Sequence, residues 1–299
     1  MQEQTISSAL LEEKSKETGL VFSDLLGAAV LEETVRRIAA SAQGEMFWLR
    51  NGTVLGKRRY GEKLSLHLEY DYAVSKEAWD QAPDAELLLE AASLLREQVF
   101  AGAEDYGVTF FQKEAVRKNC LQLQLSAEVE DMRVPVSVFV YVLHAEKKMP
   151  KTEQMESILF PELILTYHCH PAEGLLAEWF TEIMSKLELI SDMGAYYEVY
   201  RLLEKDGIDG RKVRECMEEQ CQKRGLNKDY GRIDLIAGYQ EYSYMKKKWK
   251  AFLRSAGSRE PVWEQAVDRF LKFFGPIWRA VADDAVFFGD WMPELNRFL

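Results

Sequence analysis

The 299-residue sequence predicts an α+β unit followed by an all-helical unit. Three observations carry that class. Between residues 45 and 167, short segments either alternate apolar and polar residues or run apolar on both faces, which are strand signals. From Pro171 onward, apolar residues instead recur at three and four places, the helical period. Gly207, Gly210, Gly225, Gly257 and Pro261 then divide that second part into separate helices. With no long linker, repeat or low-complexity tract, the expected domains are 1–170 and 171–299.

In chain order, FSDLLGAAVLEETVRRIAASAQ (22–43) reads as a helix, with Ser23 or Asp24 as cap and Leu31, Val35 and Ile38 at helical spacing. EMFWLRNG reads as a short strand that breaks at Asn51-Gly52, and TVLGKRRYG as a short helix. LSLHLEYDYAV (64–74) alternates: Leu64, Leu66, Leu68, Tyr70 and Tyr72 share one face, and Ser65, His67, Glu69 and Asp71 the other. PDAELLLEAASLLREQVF (83–100) is a helix with Pro83 before an Asp84 cap. LQLQLSAEV (121–129) reads as a half-exposed strand, and RVPVSVFVYVL (133–143), apolar on both faces, as a central one. PELILTY (161–167) adds another strand candidate. The helical part comprises AEGLLAEWFTEIMSKLELI, GAYYEVYRLLEK, GRKVRECMEEQCQKRG, YQEYSYMKKKWKAFLRSAG and PVWEQAVDRFLKFFGPIWRAVAD.

Composition narrows the function classes. Hydrophobic residues at 47% can build a sizeable core, and a net charge of −11 argues against a protein that simply coats nucleic acid or anionic membrane. The four cysteines (Cys120, Cys169, Cys216, Cys221) show no C-x-x-C spacing, so reduced thiols are expected. The opening MQEQTISSALLEEK is polar and acidic, unlike a secretory signal. No apolar run approaches the roughly 20 residues needed to span a bilayer. These features predict a soluble, cytoplasmic protein with no membrane partner.

The polar face of 64–74 is the chemical signal. A strand that ends in a tight Gly turn and enters a helix presents backbone N–H groups to a phosphate. Acids at i and i+2 of the next strand point the same way and can hold a divalent metal across a nucleotide's phosphates. The bland alternative is a solvated strand face in an acidic chain.

Four segments tie this pattern to a family. FWLRNGTVL resembles the phosphate-binding segment F-x-L-K-G-G-T-x-L of the abortive-infection nucleotidyltransferase toxins, the AbiEii/AbiGii family, whose plan is that of the polymerase-beta-like nucleotidyltransferases. EGLLAEWFTEIM is similar to that family's LAEK helix, GAYYEVYRLL to its RDxxDLxxLL segment, and MKKKWKAFL to a tryptophan-containing helix near its C-terminus. The order and spacing match from about residue 20 to residue 280. The resemblance implies a nucleotidyltransferase domain with a mixed sheet, then a helical domain. It also implies a bacterial toxin–antitoxin or phage-defence setting, an NTP substrate, Mg²⁺ or Mn²⁺ if active, and an RNA acceptor, commonly tRNA.

Position by position, the resemblance assigns the phosphate turn to Asn51, Gly52 and Thr53, and Asn reaches the left-handed region more readily than most residues. The family's S-x-D-x-D falls on Ser65-Leu66-His67-Leu68-Glu69, making His67 and Glu69 the metal pair; one step along the face makes it Glu69 and Asp71. Glu69 and Asp71 are therefore the candidate catalytic acids, and His67, Glu69 and Asp71 the candidate metal ligands. The third acid falls near Phe139, the LAEK lysine on Trp179, and the RDxxD charges on Gly194, Ala195 and Glu198. Losing the lysine, the arginine and an aspartate together removes much of the positioning on which such transfer depends, so a degraded active site is expected. The rival is a non-catalytic binding or scaffold subunit engaging protein or RNA.

Other candidates are weaker. YHCHP (167–171) brackets Cys169 with His168 and His170, but no second cluster completes a metal site. Lys57, Arg58, Arg59 and Lys63 lie beside the turn; Arg58 and Arg59 could cradle a triphosphate, or the group could simply solvate a helix. In MKKKWK, Trp249 is expected in the core, with Lys246, Lys247, Lys248 and Lys250 solvating the helix.

Overall fold

The computed structural model describes residues 5–50, 55, 66–101, 106–117, 120–144, 149–191 and 193–299. The turn Asn51-Gly52-Thr53, Arg58 and Arg59 lie outside them. The chain divides into two compact units, Met1–His170 and Pro171–Leu299.

The first unit begins with α1 (Ser8–Thr18), capped by the Ser7 side chain and closed by Gly19 in the left-handed region at φ 72°. α2 (Phe22–Ala40) starts at Val21 with no side-chain cap, so Ser23 and Asp24 sit inside its first turn rather than capping it. Gly44 then lets the chain fold back closely: a Cβ there would lie 2.3 Å from the Ala39 carbonyl oxygen. β1 (Phe47–Leu49) and β2 (His67–Val74) follow. α3 (Lys76–Gln81) is capped by Ser75, and α4 (Asp84–Leu94) begins with Pro83, not Asp84, at the cap position. The helix expected to run to residue 100 changes at Leu95–Val99 into a wider π turn.

β3 (Thr109–Arg117), β4 (Cys120–Val129), β5 (Met132–His144), β6 (Lys151–Glu156) and β7 (Ile164–Cys169) complete a seven-stranded sheet in the order β3-β4-β5-β2-β1-β7-β6. It is mixed: β1 with β7 and β2 with β5 are parallel, and the remaining pairs antiparallel. α2 packs on β5 and β7, and α4 on β3, β4 and β5. That side of the sheet is the core, where Leu68, Tyr70, Leu123, Val136, Val138 and Val140 are buried. β5 is interior in the sheet, yet its burial alternates, because Ser137, Phe139 and Tyr141 face the other side. That other side carries the polar row of β2.

The second unit holds α5 (Ala172–Lys186), α6 (Gly194–Lys205), α7 (Gly210–Arg224), α8 (Gly231–Gly238), α9 (Ser243–Ala256) and α10 (Trp263–Ala282). The expectation of an all-helical unit needs correction. β8 (Ile208–Asp209), β9 (Asp290–Met292) and β10 (Arg297–Phe298) form a small antiparallel sheet. Strands of two or three residues are too short to show a period. The core here is aromatic: Phe180, Tyr196, Trp249, Phe270, Phe274, Trp278 and Trp291 are buried together. Each buried indole N–H finds a carbonyl, as with Trp249 on Pro261 at 2.7 Å and Trp291 on Leu203 at 2.9 Å.

Candidate functional site

Strand register assembles the polar face. Opposed residues share a face, so the pairing of Trp48 with Asp71 puts both on the same side of the sheet. Arg50, just past β1, donates its backbone N–H to the Glu69 carbonyl at 2.8 Å and so continues that row. Across β2, the parallel partner β5 sets Ser137 beside His67, Phe139 beside Glu69 and Tyr141 beside Asp71. On the other flank β7 pairs Cys169 with Leu49, and the next residue, His170, donates its N–H to the Leu49 carbonyl at 3.0 Å. Residues remote in sequence thus converge because β1 lies between β2 and β7.

Asp71 is the centre of that convergence. It is 1% exposed. Arg50 Nη1 donates to Oδ1 at 2.8 Å, and His170 Nδ1 lies 2.6 Å from Oδ2. The Arg50 guanidinium also sits 5.6 Å from the Tyr141 ring centroid, and Trp48 meets His170 edge-on at 6.3 Å. Burial pushes the Asp71 carboxyl up, but the His170 hydrogen bond and the Arg50 charge outweigh it and hold it below its usual value. Tyr141 is pushed up to about 12, first by burial and then by the Glu69 charge.

The outer end of the row is different. His67 Nε2 lies 2.9 Å from Glu69 Oε1, with the two side chains 37% and 36% exposed. The His67 ring lies 4.8 Å from that of Phe139, so the position beside Glu69 presents an aromatic ring rather than a carboxylate. The structure therefore brings His67 and Glu69 together but ties both oxygens of Asp71 to other partners. Among the described residues, no group of three His, Cys, Asp or Glu side chains is arranged to hold a metal ion.

His168 and His170 share a face but not a partner: His168 Nδ1 is 3.3 Å from Thr152 Oγ1, while His170 belongs to Asp71. In the second unit Trp179 packs against the aromatic core, Ala195 is buried, and Gly194 and Glu198 lie on α6. The residues missed from sequence are Arg50 and His170 as partners of Asp71. The signal for Arg50 was its alternation with Trp48 along one strand. No local pattern announces His170, because its approach depends on the β1–β7 pairing.

No family model matches the chain, and no curated protein does. Among solved structures it is similar to a protein from H. pylori described as a candidate nucleotidyltransferase, at 11% identity and a TM-score of 0.39, covering 89% of this chain and 97% of that one. It is also similar to JHP933 from Helicobacter pylori, at 11% identity and a TM-score of 0.40, covering 89% of this chain and 94% of the other. What the site can do is read from its own residues.

Proposed function

We propose that this chain is a nucleotidyltransferase-fold protein of the abortive-infection toxin type whose transfer site has been degraded. In this reading it serves a toxin–antitoxin or phage-defence system by binding rather than by chemistry. One observation carries the proposal: Asp71 is buried between Arg50 and His170, at 2.8 and 2.6 Å. A carboxylate that bridges divalent metal ions must offer its oxygens to them. Here both oxygens already accept hydrogen bonds, and drawing them away to a metal would break a buried charge pair, at a typical cost of about 3–5 kcal/mol.

Among the described residues, no group of three His, Cys, Asp or Glu side chains around Asp71 is arranged for a divalent ion, which supports this reading. Phe139 beside Glu69 and Trp179 on α5 point the same way, since the family resemblance puts charged groups at both positions. Transfer to an acceptor depends on electrostatic positioning of the phosphates, and each lost group of that kind typically costs about 10²–10³ in rate.

The opposing reading is an active transferase that uses Mg²⁺ or Mn²⁺ on Glu69 with His67. Its support is the half-exposed His67–Glu69 pair on the face away from α2 and α4. In both readings, Asn51, Gly52 and Thr53 with Arg58 and Arg59 would meet the triphosphate of an NTP. Incubating the purified chain with each labelled NTP, Mg²⁺ or Mn²⁺, and total bacterial RNA and protein separates the two. We expect no label above background. Strong labelling that disappears in Glu69→Ala would restore the enzyme.

A further inference from the structure

Helix α9, Ser243–Ala256, has the sequence SYMKKKWKAFLRSA, with five cations and no acid, in a chain of net charge −11. Its apolar stripe is already used. Met245, Trp249 and Leu253 are buried in the core of the second unit. Two of its lysines are also committed. Lys246 pairs with Glu241 at 3.1 Å and Glu264 at 2.6 Å, which neutralises the acids flanking the helix. Lys248 donates to the Glu188 carbonyl at 3.2 Å and to that of Ile190, and lies 4.8 Å over the Tyr244 ring.

The remaining cations have a different setting. Lys247, Lys250 and Arg254 are exposed and, among the described residues, have no ion-pair partner. With Tyr244, Ala251 and Ser255 they occupy the helix positions that point away from the core, spaced by three and four residues. At 1.5 Å per residue, Lys247 and Arg254 stand about 10 Å apart along the axis. Beside them Tyr242 and Tyr244 are 43% and 47% exposed, with ring centroids 5.9 Å apart.

We infer that this face binds single-stranded RNA. Three unneutralised cations in a row match a phosphate backbone, and the adjoining tyrosines offer faces on which unpaired bases stack. A bilayer surface is disfavoured, because an interfacial helix needs its apolar face in lipid and this one is buried in protein. The inference rests on the proposed function only for the identity of the cellular RNA.

The test is fluorescence anisotropy of a labelled 15-nucleotide single-stranded RNA with the full chain, without metal or nucleotide. The outcome is therefore separate from whether transfer occurs. Three phosphate contacts predict a slope of log affinity against log salt of about −2. Lys247→Glu/Lys250→Glu/Arg254→Glu should weaken binding at least tenfold at low salt and flatten that slope. The milder glutamine triple variant should act in the same direction. Lys223→Glu/Arg224→Glu, reversing an exposed pair at the end of α7, should stay within about twofold, which isolates the patch from net charge. Tyr242→Ala/Tyr244→Ala should lose at least fivefold on single strands and little on a duplex. The inference is overturned by wild-type affinity in both triple variants, by an equal loss in the α7 control, or by a wild type that binds poly-glutamate and no RNA.

Discussion

The inner and outer ends of the polar row on β2 treat a carboxylate in opposite ways. Asp71 is 1% exposed and bound by a guanidinium and an imidazole, whereas Glu69, two residues away on the same face, is about one-third exposed and lies against the equally exposed His67. Register accounts for the difference. β1 and the end of β7 close over Asp71, while the β5 neighbours of the outer end are Ser137 and Phe139. Burial makes partners obligatory, because an unpaired buried charge costs several kcal/mol, whereas an exposed pair contributes about 0–1 kcal/mol. Two acids that look interchangeable in sequence thus have separate roles: the inner one holds three strands together, and the outer one remains exposed to solvent.

The largest expected effect is at the inner end. Asp71→Ala removes the shared partner of Arg50 and His170 and should destabilise the protein by about 3–5 kcal/mol in urea unfolding. A loss below 1 kcal/mol would erase the contrast between the two ends. A middle-sized effect concerns acid. The folded-state value of Asp71 is lowered, so its contribution is complete at neutral pH and is lost as pH falls through that folded value. Urea midpoints of the wild type should therefore drop more steeply below about pH 4 than those of Asp71→Asn. Parallel curves would mean that Asp71 is no more stabilised in the folded state than in the unfolded chain. The smallest effect belongs to the outer end: His67→Ala and Glu69→Ala should each shift stability by less than about 1 kcal/mol. A larger loss would make that end structural as well.

Much of the fold is legible because its signals are local. Alternation in 121–129 marks β4, the run apolar on both faces in 133–143 marks β5, and helical spacing marks α2 and α5 to α7. β3 and β6 escaped notice for a physical reason. Both lie at the edges of the sheet, and KTEQME in β6 is half-exposed or exposed throughout, so no apolar alternation is required of it. The face shared by His67, Glu69 and Asp71 follows from period two alone. What each of the three does there does not. The closure over Asp71 depends on a parallel contact between strands more than a hundred residues apart, and nothing in the strand's own pattern encodes its neighbours. The same applies to Phe139, whose apolar character suits a central strand and whose position beside Glu69 is set by register.

The central claim is that Asp71 is a structural carboxylate and not a metal ligand, and Mn²⁺ titration by calorimetry tests it most directly. The comparison is between the wild type and Asp71→Asn, each first shown to be folded by circular dichroism. If Arg50 and His170 occupy both oxygens as described, the two proteins should give the same titration, with no stoichiometric Mn²⁺ uptake that depends on residue 71. One equivalent bound by the wild type and lost in Asp71→Asn would contradict the account and return Asp71 to the metal site.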